Sequence, residues 1–188
     1  MNASTVKKRV LRMFCAATLL AASGCANAAR STADIPAVES FQLNRYMGKW
    51  YEIARLPHSF EEDVTDAQAV YTLQNNGTVQ VLNTGLRNHI SVSASGIART
   101  FDNSGRGIME VSFFRPFYGL YKIIYLDKDY QLAIVTSGTM DYVWILARRP
   151  IISRQELYNC LEMLKKWGYA VNLLQYPSGM VEELAKPQ

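Results

Sequence analysis

From Trp50 to Arg148 the chain alternates apolar and polar residues at a period of two, in short runs broken by turn formers. Eight runs carry the pattern: WYEIARL, AQAVYTL, VQVLNTGL, SVSASGIART, IMEVSFF, LYKIIYL, LAIVT and YVWILAR. They are rich in Val, Ile, Tyr, Phe and Trp, residue types that suit a pleated, half-buried surface. NNG at Asn75, DNSGRG at Asp102, DKD at Asp127 and SGTMD at Ser137 supply turns. Short strands on tight connections predict an all-β domain, either an up-and-down antiparallel barrel or a sandwich. The Cys–Trp–Cys signature of an immunoglobulin sandwich is missing. Eight strands make a barrel just wide enough to hold one small ligand.

After Pro150 the period changes. Ser153 and Glu156 form a capping box, and Leu157, Leu161, Leu164 and Trp167 recur at helical spacing until Gly168. The expected architecture is therefore an eight-stranded up-and-down antiparallel β-barrel with one C-terminal α-helix packed outside. Beyond the helix, YAVNLLQYP reads as one short edge strand.

Alternation also assigns the lumen side. With Lys122 facing water, Tyr121, Ile123 and Tyr125 face in. With Glu110 and Ser112 out, Met109, Val111 and Phe113 face in. With Gln68 and Thr72 out, Ala67, Ala69, Tyr71 and Leu73 face in. In the last strand Tyr142, Trp144 and Leu146 face in, and Val143, Ile145 and Ala147 form a small apolar face suited to lie under the helix. The candidate ligand-binding set is Ala69, Tyr71, Val111, Phe113, Tyr121, Ile123, Tyr142 and Trp144. Such an interior offers apolar walls for a chain and phenolic hydroxyls for a head group. The same residues would equally fill a barrel that binds nothing.

Composition changes the picture mainly at the N-terminus. The formal charge is +4, but Lys7, Lys8, Arg9 and Arg12 precede any acid, and without them sixteen basic residues face sixteen acidic ones. A near-neutral body gives no support to nucleic-acid binding. Those four cations followed by MFCAATLLAA (Met13–Ala22) read as an export signal too short to span a bilayer. The signal ends in AASGC, which resembles a bacterial lipobox with Ala22 where Leu is usual. Cys25 is then the lipidation site, carrying acyl chains such as palmitate. Simple cleavage after ANA (Ala26–Ala28) is the alternative. No Asp follows Cys25, and by the sorting rule of such lipoproteins this implies the outer membrane. The expected organisation is a signal peptide over 1–24, a flexible tether over 25–40, the barrel and helix over 41–178, and a tail over 179–188. Cys160 is left alone in the body, where it reads as a small buried hydrophobe.

Three ordered blocks, RYMGKWYEIARLPHSFE, VSFFRPFYGLYKIIYLDKDYQLAIV and DYVWILARRP, resemble the lipocalin family, specifically the bacterial outer-membrane lipoprotein lipocalins and their apolipoprotein D-like relatives in animals. Gly48-x-Trp50 looks like the family signature at the start of the first strand. The resemblance implies structural roles for Gly48, Trp50, Asp127 and Arg148: the Trp plugs the closed end, and the Arg of the last strand packs across it. The family's Thr-Asp-Tyr motif appears here as Leu126-Asp127-Lys128. The segment PHSFEEDVTDA is implied to be the loop over the open end.

His58 and His89 lie in loop-like stretches without a second ligand at metal spacing and read as surface histidines, and Glu61–Glu62 reads as solvated charge. Neither a nucleophile elbow nor a phosphate loop occurs. No catalytic residue, metal or cofactor is expected. The leading reading is an outer-membrane, periplasm-facing lipocalin that binds fatty acids or lysophospholipids for storage or transport in envelope maintenance or stress. An isomerase or lipid hydrolase on the same scaffold, and a structural envelope protein with a filled barrel, are the alternatives. Tyr118 and the RPFYG loop suit either a turn or the contact of a homodimer.

Overall fold

The structure, a computed structural model, describes residues 29–100 and 104–176. The expected signal peptide, Cys25 and the tail over 179–188 lie outside the described residues. Eight strands, β1 (Gly48–Arg55), β2 (Val64–Leu73), β3 (Val79–Arg87), β4 (Ile90–Thr100), β5 (Ile108–Phe114), β6 (Phe117–Leu126), β7 (Leu132–Thr136) and β8 (Val143–Ala147), pair with their sequence neighbours. β1 also pairs antiparallel with β8, which closes the barrel and leaves no free edge. A four-residue helix α1 (Leu43–Tyr46) precedes β1, and α2 (Arg154–Trp167) follows β8.

Each end of α2 has the chemistry the sequence supplies. The Ser153 hydroxyl accepts from the Glu156 amide, and the Glu156 carboxylate accepts from the Ser153 amide. Gly168 adopts φ 85°, a left-handed position, and its amide donates to the last-turn carbonyls. Leu157, Cys160 and Leu164 pack on Ile53, Ala54, Ile124, Val143, Ile145 and Ala147 of the barrel wall.

Two bulges shape that wall. Pairing shifts register between Glu52 and Ala54 in β1 and between Ile123 and Tyr125 in β6. Each bulge turns two consecutive residues outward, Ile53 with Ala54 and Ile124 with Tyr125, and all four join the core under α2. Strict alternation therefore fails for Tyr125, which packs beneath the helix rather than in the lumen. Leu73, at the end of β2, is exposed as well.

Residues 30–40 do not behave as a tether. Ser31 bridges to Thr139, Thr32 and Ile35 are buried, and the Val38 amide donates to the Ile123 carbonyl at 2.9 Å. The segment runs down the outside of the barrel as a strap. It also accounts for Lys122, expected in water but buried: its ammonium donates to the Thr32 and Ile35 carbonyls at 2.6 and 2.8 Å. After α2 the chain forms a single 3-10 turn over Val171–Leu173 and one bridge between Gln175 and Arg55, in place of the expected edge strand.

Candidate functional site

The site is a cup, and its floor is aromatic. Gly48 enters β1 at φ 92°, and a side chain there would lie 3.3 Å from the Arg148 guanidinium. Trp50 is fully buried, and its indole N–H donates to the Tyr46 carbonyl at 2.8 Å. Arg148 stacks over the ring, 4.0 Å from its centroid, and donates to the carbonyls of Arg45, Lys49 and Tyr130. Asp127 closes the β6–β7 turn by accepting from the amides of Gln131 and Leu132 at 2.6 and 2.7 Å.

Above the plug, three phenols meet. The Tyr121 hydroxyl lies 2.7 Å from that of Tyr46 and 3.0 Å from that of Tyr71. Burial pushes all three above the ordinary tyrosine value, Tyr71 to about 12, so they remain neutral donors and acceptors. Tyr46 is absent from the sequence-based candidates because it precedes the first strand, on a helix too short to show a period.

Over this floor opens a cavity of about 470 Å³. Ala69, Tyr71, Val111, Phe113, Tyr121, Tyr142 and Trp144 all line it, together with Met109, Val135 and Leu146. Ile123, the eighth candidate, is fully buried in the closed-end core beside Val135 and does not line the cavity. The lining includes polar side chains that alternation did not select, Gln68 and Asn83 among them, and the Asn83 amide oxygen is buried without a partner. A bound molecule with a donor group would supply that missing hydrogen bond.

The mouth departs most from expectation. A 3-10 turn over Ser59–Glu61 folds the β1–β2 loop across the opening. His58 is not a surface histidine: its side chain is 4% exposed, stacked 3.8 Å from Phe60 and 5.3 Å from Trp144. Glu61 is not solvated charge either. One carboxylate oxygen lies 3.0 Å from His58 Nε2 and accepts from the Trp144 indole at 3.1 Å. Burial alone would raise the Glu61 carboxyl. The close His58 imidazole, the Trp144 hydrogen bond and the nearby Arg55 charge outweigh burial and hold it below the usual range. Glu62 and His89 are exposed, as read from the sequence.

A second carboxylate, Glu52, lies inside the barrel wall. Burial and the Glu61 charge push it up to about 8, against the pull of the Arg55 guanidinium that donates to it. The other Arg55 terminal nitrogen donates to the carbonyls of Glu61 and Val64 at 2.8 and 3.1 Å. The signal for Glu52 was present in the sequence, since period two from Trp50 puts it on the same face. Arg55 was hidden by the bulge between them. Cys160 lies on the barrel-facing side of α2, outside the cavity lining, where burial raises its thiol to about 12. Among the described residues no cluster of His, Cys, Asp and Glu could hold a metal ion.

A closed eight-stranded barrel with a plugged floor, an open mouth and an apolar lumen defines a small-molecule binding cup. The chain belongs to the lipocalin family: the family model for the lipocalin-like domain matches residues 41–178. The chain is 41% identical to the outer membrane lipoprotein Blc of Vibrio cholerae over 142 residues, covering 74% of this chain and 83% of that one. It is 36% identical to the protein of the same name from Escherichia coli K12, over 73% of this chain and 79% of the relative. The more distant apolipoprotein D of Rattus norvegicus is 36% identical over 62% of this chain and 66% of its own. Among solved structures, insecticyanin of the tobacco hornworm Manduca sexta superposes with a TM-score of 0.63 at 17% identity, over 77% of this chain and 84% of that one. At that identity the likeness shows the fold.

Proposed function

We propose that this lipocalin binds single-chain lipids, fatty acids or lysophospholipids, in its lumen, and that it stores or carries them at the bacterial outer membrane during envelope maintenance or stress. In this reading Cys25 is acylated and anchors the chain facing the periplasm. Its bacterial relatives are outer membrane lipoproteins by name, which supports that location. The observation that carries the ligand class is the cavity itself: about 470 Å³, one open end, and apolar walls that include Ala69, Val111, Phe113 and Trp144, with polar side chains such as Glu52, Gln68 and Asn83 set among them. Its size falls in the range of small-molecule pockets, which counts against a filled barrel. Each methylene moved from water into such walls contributes roughly 0.8 kcal/mol, so a long acyl chain offsets the cost of association.

The polar groups sort the head group. The lumen holds neutral phenols, an unpaired Asn83 oxygen and a Glu52 carboxyl raised by burial, and its rim holds Glu61 and Arg87. None of these favours an anionic head deep inside. The chain therefore enters tail first, and a carboxylate or phosphate stays at the mouth. Binding involves no bond chemistry.

One observation favours the second reading, an isomerase or hydrolase: the Glu52 carboxyl and the His58–Glu61 pair stand at one side of the lumen. Against it, the Arg55 guanidinium occupies Glu52 and the Trp144 indole donates to Glu61, so both carboxylates are engaged by protein groups.

The test is native mass spectrometry of the soluble barrel, lacking Cys25 and everything before it, followed by lipid extraction. A co-purifying fatty acid or lysophospholipid, displaced by added ligand without turnover, is the expected result. A protein that is empty and takes up neither lysophospholipid nor a fluorescent fatty acid would sink the reading. Release of a chemically altered lipid would favour the enzyme.

A further inference from the structure

We infer that the N-terminal strap fixes the orientation of the barrel, holding its open mouth against the membrane that anchors it. The inference rests on the reading of Cys25 as the acylated residue, and adds to it a direction that neither the fold nor its relatives' names supply.

The strap leaves the barrel at the open end. Ser31 bridges to Thr139, the Thr32 hydroxyl donates to the Ser137 carbonyl at 2.6 Å, and the Met140 amide donates to the Arg30 carbonyl at 2.8 Å. Ser137, Thr139 and Met140 belong to the β7–β8 turn, and Ser137 and Tyr142 line the cavity mouth. From there the strap runs to the closed end, where the Phe41 amide donates to Gly105 at 2.7 Å. The buried ammonium of Lys122 holds the upper strap through two carbonyls. The first docked residue, Arg30, donates to the Gly168 carbonyl at 2.5 Å.

Cys25 lies only five residue steps before Arg30. Fully extended, five residues reach about 16–18 Å. The Lys122–Thr136 rung leaves five residues of β6 before its start at Phe117, a rise of roughly 16 Å along the strand. An anchor at Cys25 therefore reaches the level of the β5–β6 hairpin tip. Reaching past the closed end would require it to run back along the whole of β6, whose ten residues span about 33 Å.

The β3–β4 and β5–β6 tips at that level suit a lipid surface, whereas the β1–β2 loop, the start of β2 and the β7–β8 turn carry the exposed acids Glu62, Asp63, Asp66 and Asp141. Phe114 and Phe117 are 46% and 61% exposed and stack on one another at 6.2 Å, and Ile90 at the tip of β3–β4 is 69% exposed. From Ala67 to Phe101 and from Val111 to Leu126 there is no Asp or Glu, while Arg115 sits between the two phenylalanines. Exposed aromatics flanked by cations are what an anionic interface attracts. In this pose a single-chain lipid passes between bilayer and lumen without crossing open water.

The test uses the full chain with Cys25 acylated, placed in vesicles of phosphatidylethanolamine and phosphatidylglycerol that contain a nitroxide lipid. A fluorophore is attached at Phe117→Cys or, at the closed end, at Asn76→Cys; native Cys160 is buried and inert. Severalfold stronger quenching at position 117 than at 76 is expected. A Gly/Ser insert of ~15 residues after Ala28, roughly 20 Å in mean reach, should abolish most of that difference. Equal or reversed quenching in an acylated chain would overturn the orientation alone. So would an unquenched position 117 covered by a second copy in a dimer. An intact mass without acyl chains would overturn the anchor and the orientation together, while leaving lipid binding by the soluble barrel standing.

Discussion

The Arg148 guanidinium lies 4.0 Å from the centre of the Trp50 ring, and Tyr46 packs against the same indole with its centroid 4.7 Å away. A side chain just past the end of the last strand thus seals the first. The arginine does so with three nitrogens engaged, through the carbonyls of Arg45, Lys49 and Tyr130. Lysine keeps the charge but cannot reach three carbonyls from a planar fork. Arg148→Lys is expected to lose about 2 kcal/mol of stability, read as a lower urea midpoint with unchanged slope. A slope that falls as well would show that the closed end had opened rather than weakened.

Tyr121 is the hub of the buried phenols, and its removal strands two partners. Tyr121→Phe deletes one oxygen but leaves the Tyr46 and Tyr71 hydroxyls without it, at a cost of about 1–3 kcal/mol. The network also dictates an alkaline limit. Burial, with the neighbouring phenols, raises these tyrosines above their unfolded value near 10. A raised folded value means the unfolded chain gives up its protons first, so the stability they contribute is whole below about pH 10 and drains as pH rises further. Phenolate absorbance from the three should appear together with unfolding, not before it. Gradual titration in the folded state would refute the closed network.

Much of this architecture is legible in the one-dimensional pattern, and what escapes has local causes. Alternation places Ala69, Tyr71, Val111, Tyr121 and Trp144 on the lumen side because β2, β5, β6 and β8 pair in regular register where those residues sit, and Phe113, beside a bulge in β5, and Tyr142, just before β8, line the cavity as well. It misplaces Tyr125 because a bulge at Ile124 advances the count by one. Lys122 reads as solvent-facing because period two does put it outside the barrel; nothing in a strand pattern reveals that residues 30–40 then cover it. His58 and Glu61 look like loop polarity, and only the fold of the loop over Tyr142 and Trp144 buries them. Pairs made by residues distant in sequence leave no periodic trace.

Glu52 carries an acid-side prediction. Its carboxyl is raised to about 8 by burial and by Glu61, far above an ordinary glutamate near 4.3. The folded state therefore binds this proton more tightly than the unfolded state, and the stability it brings is present at low pH and lost as pH climbs from about 4 through about 8. Glu52→Gln is neutral at every pH and keeps the hydrogen-bonding shape. It should flatten the fall in stability across that window, measured by urea unfolding at several pH values. A variant with the same slope as the parent would mean that Arg55 keeps Glu52 ionised and that the slope has another source.

Ala69 separates the lumen's role in binding from its role in folding. It stands in β2 opposite Trp50 of β1 and Asn83 of β3, small where its neighbours are large, and it lines the cavity. Ala69→Trp would put a ring into space that the folded protein leaves open, so the stability change should stay below about 1 kcal/mol, unlike overpacking of a filled core. The ligand meets the full volume of that ring. If it displaces ~three methylenes of an acyl chain, binding weakens by roughly 50-fold at about 0.8 kcal/mol each, with the loss growing with chain length in a titration series. A destabilised Ala69→Trp protein would mean the barrel is packed at that level. A stable one that binds as well as the parent would place the acyl chain outside the lumen.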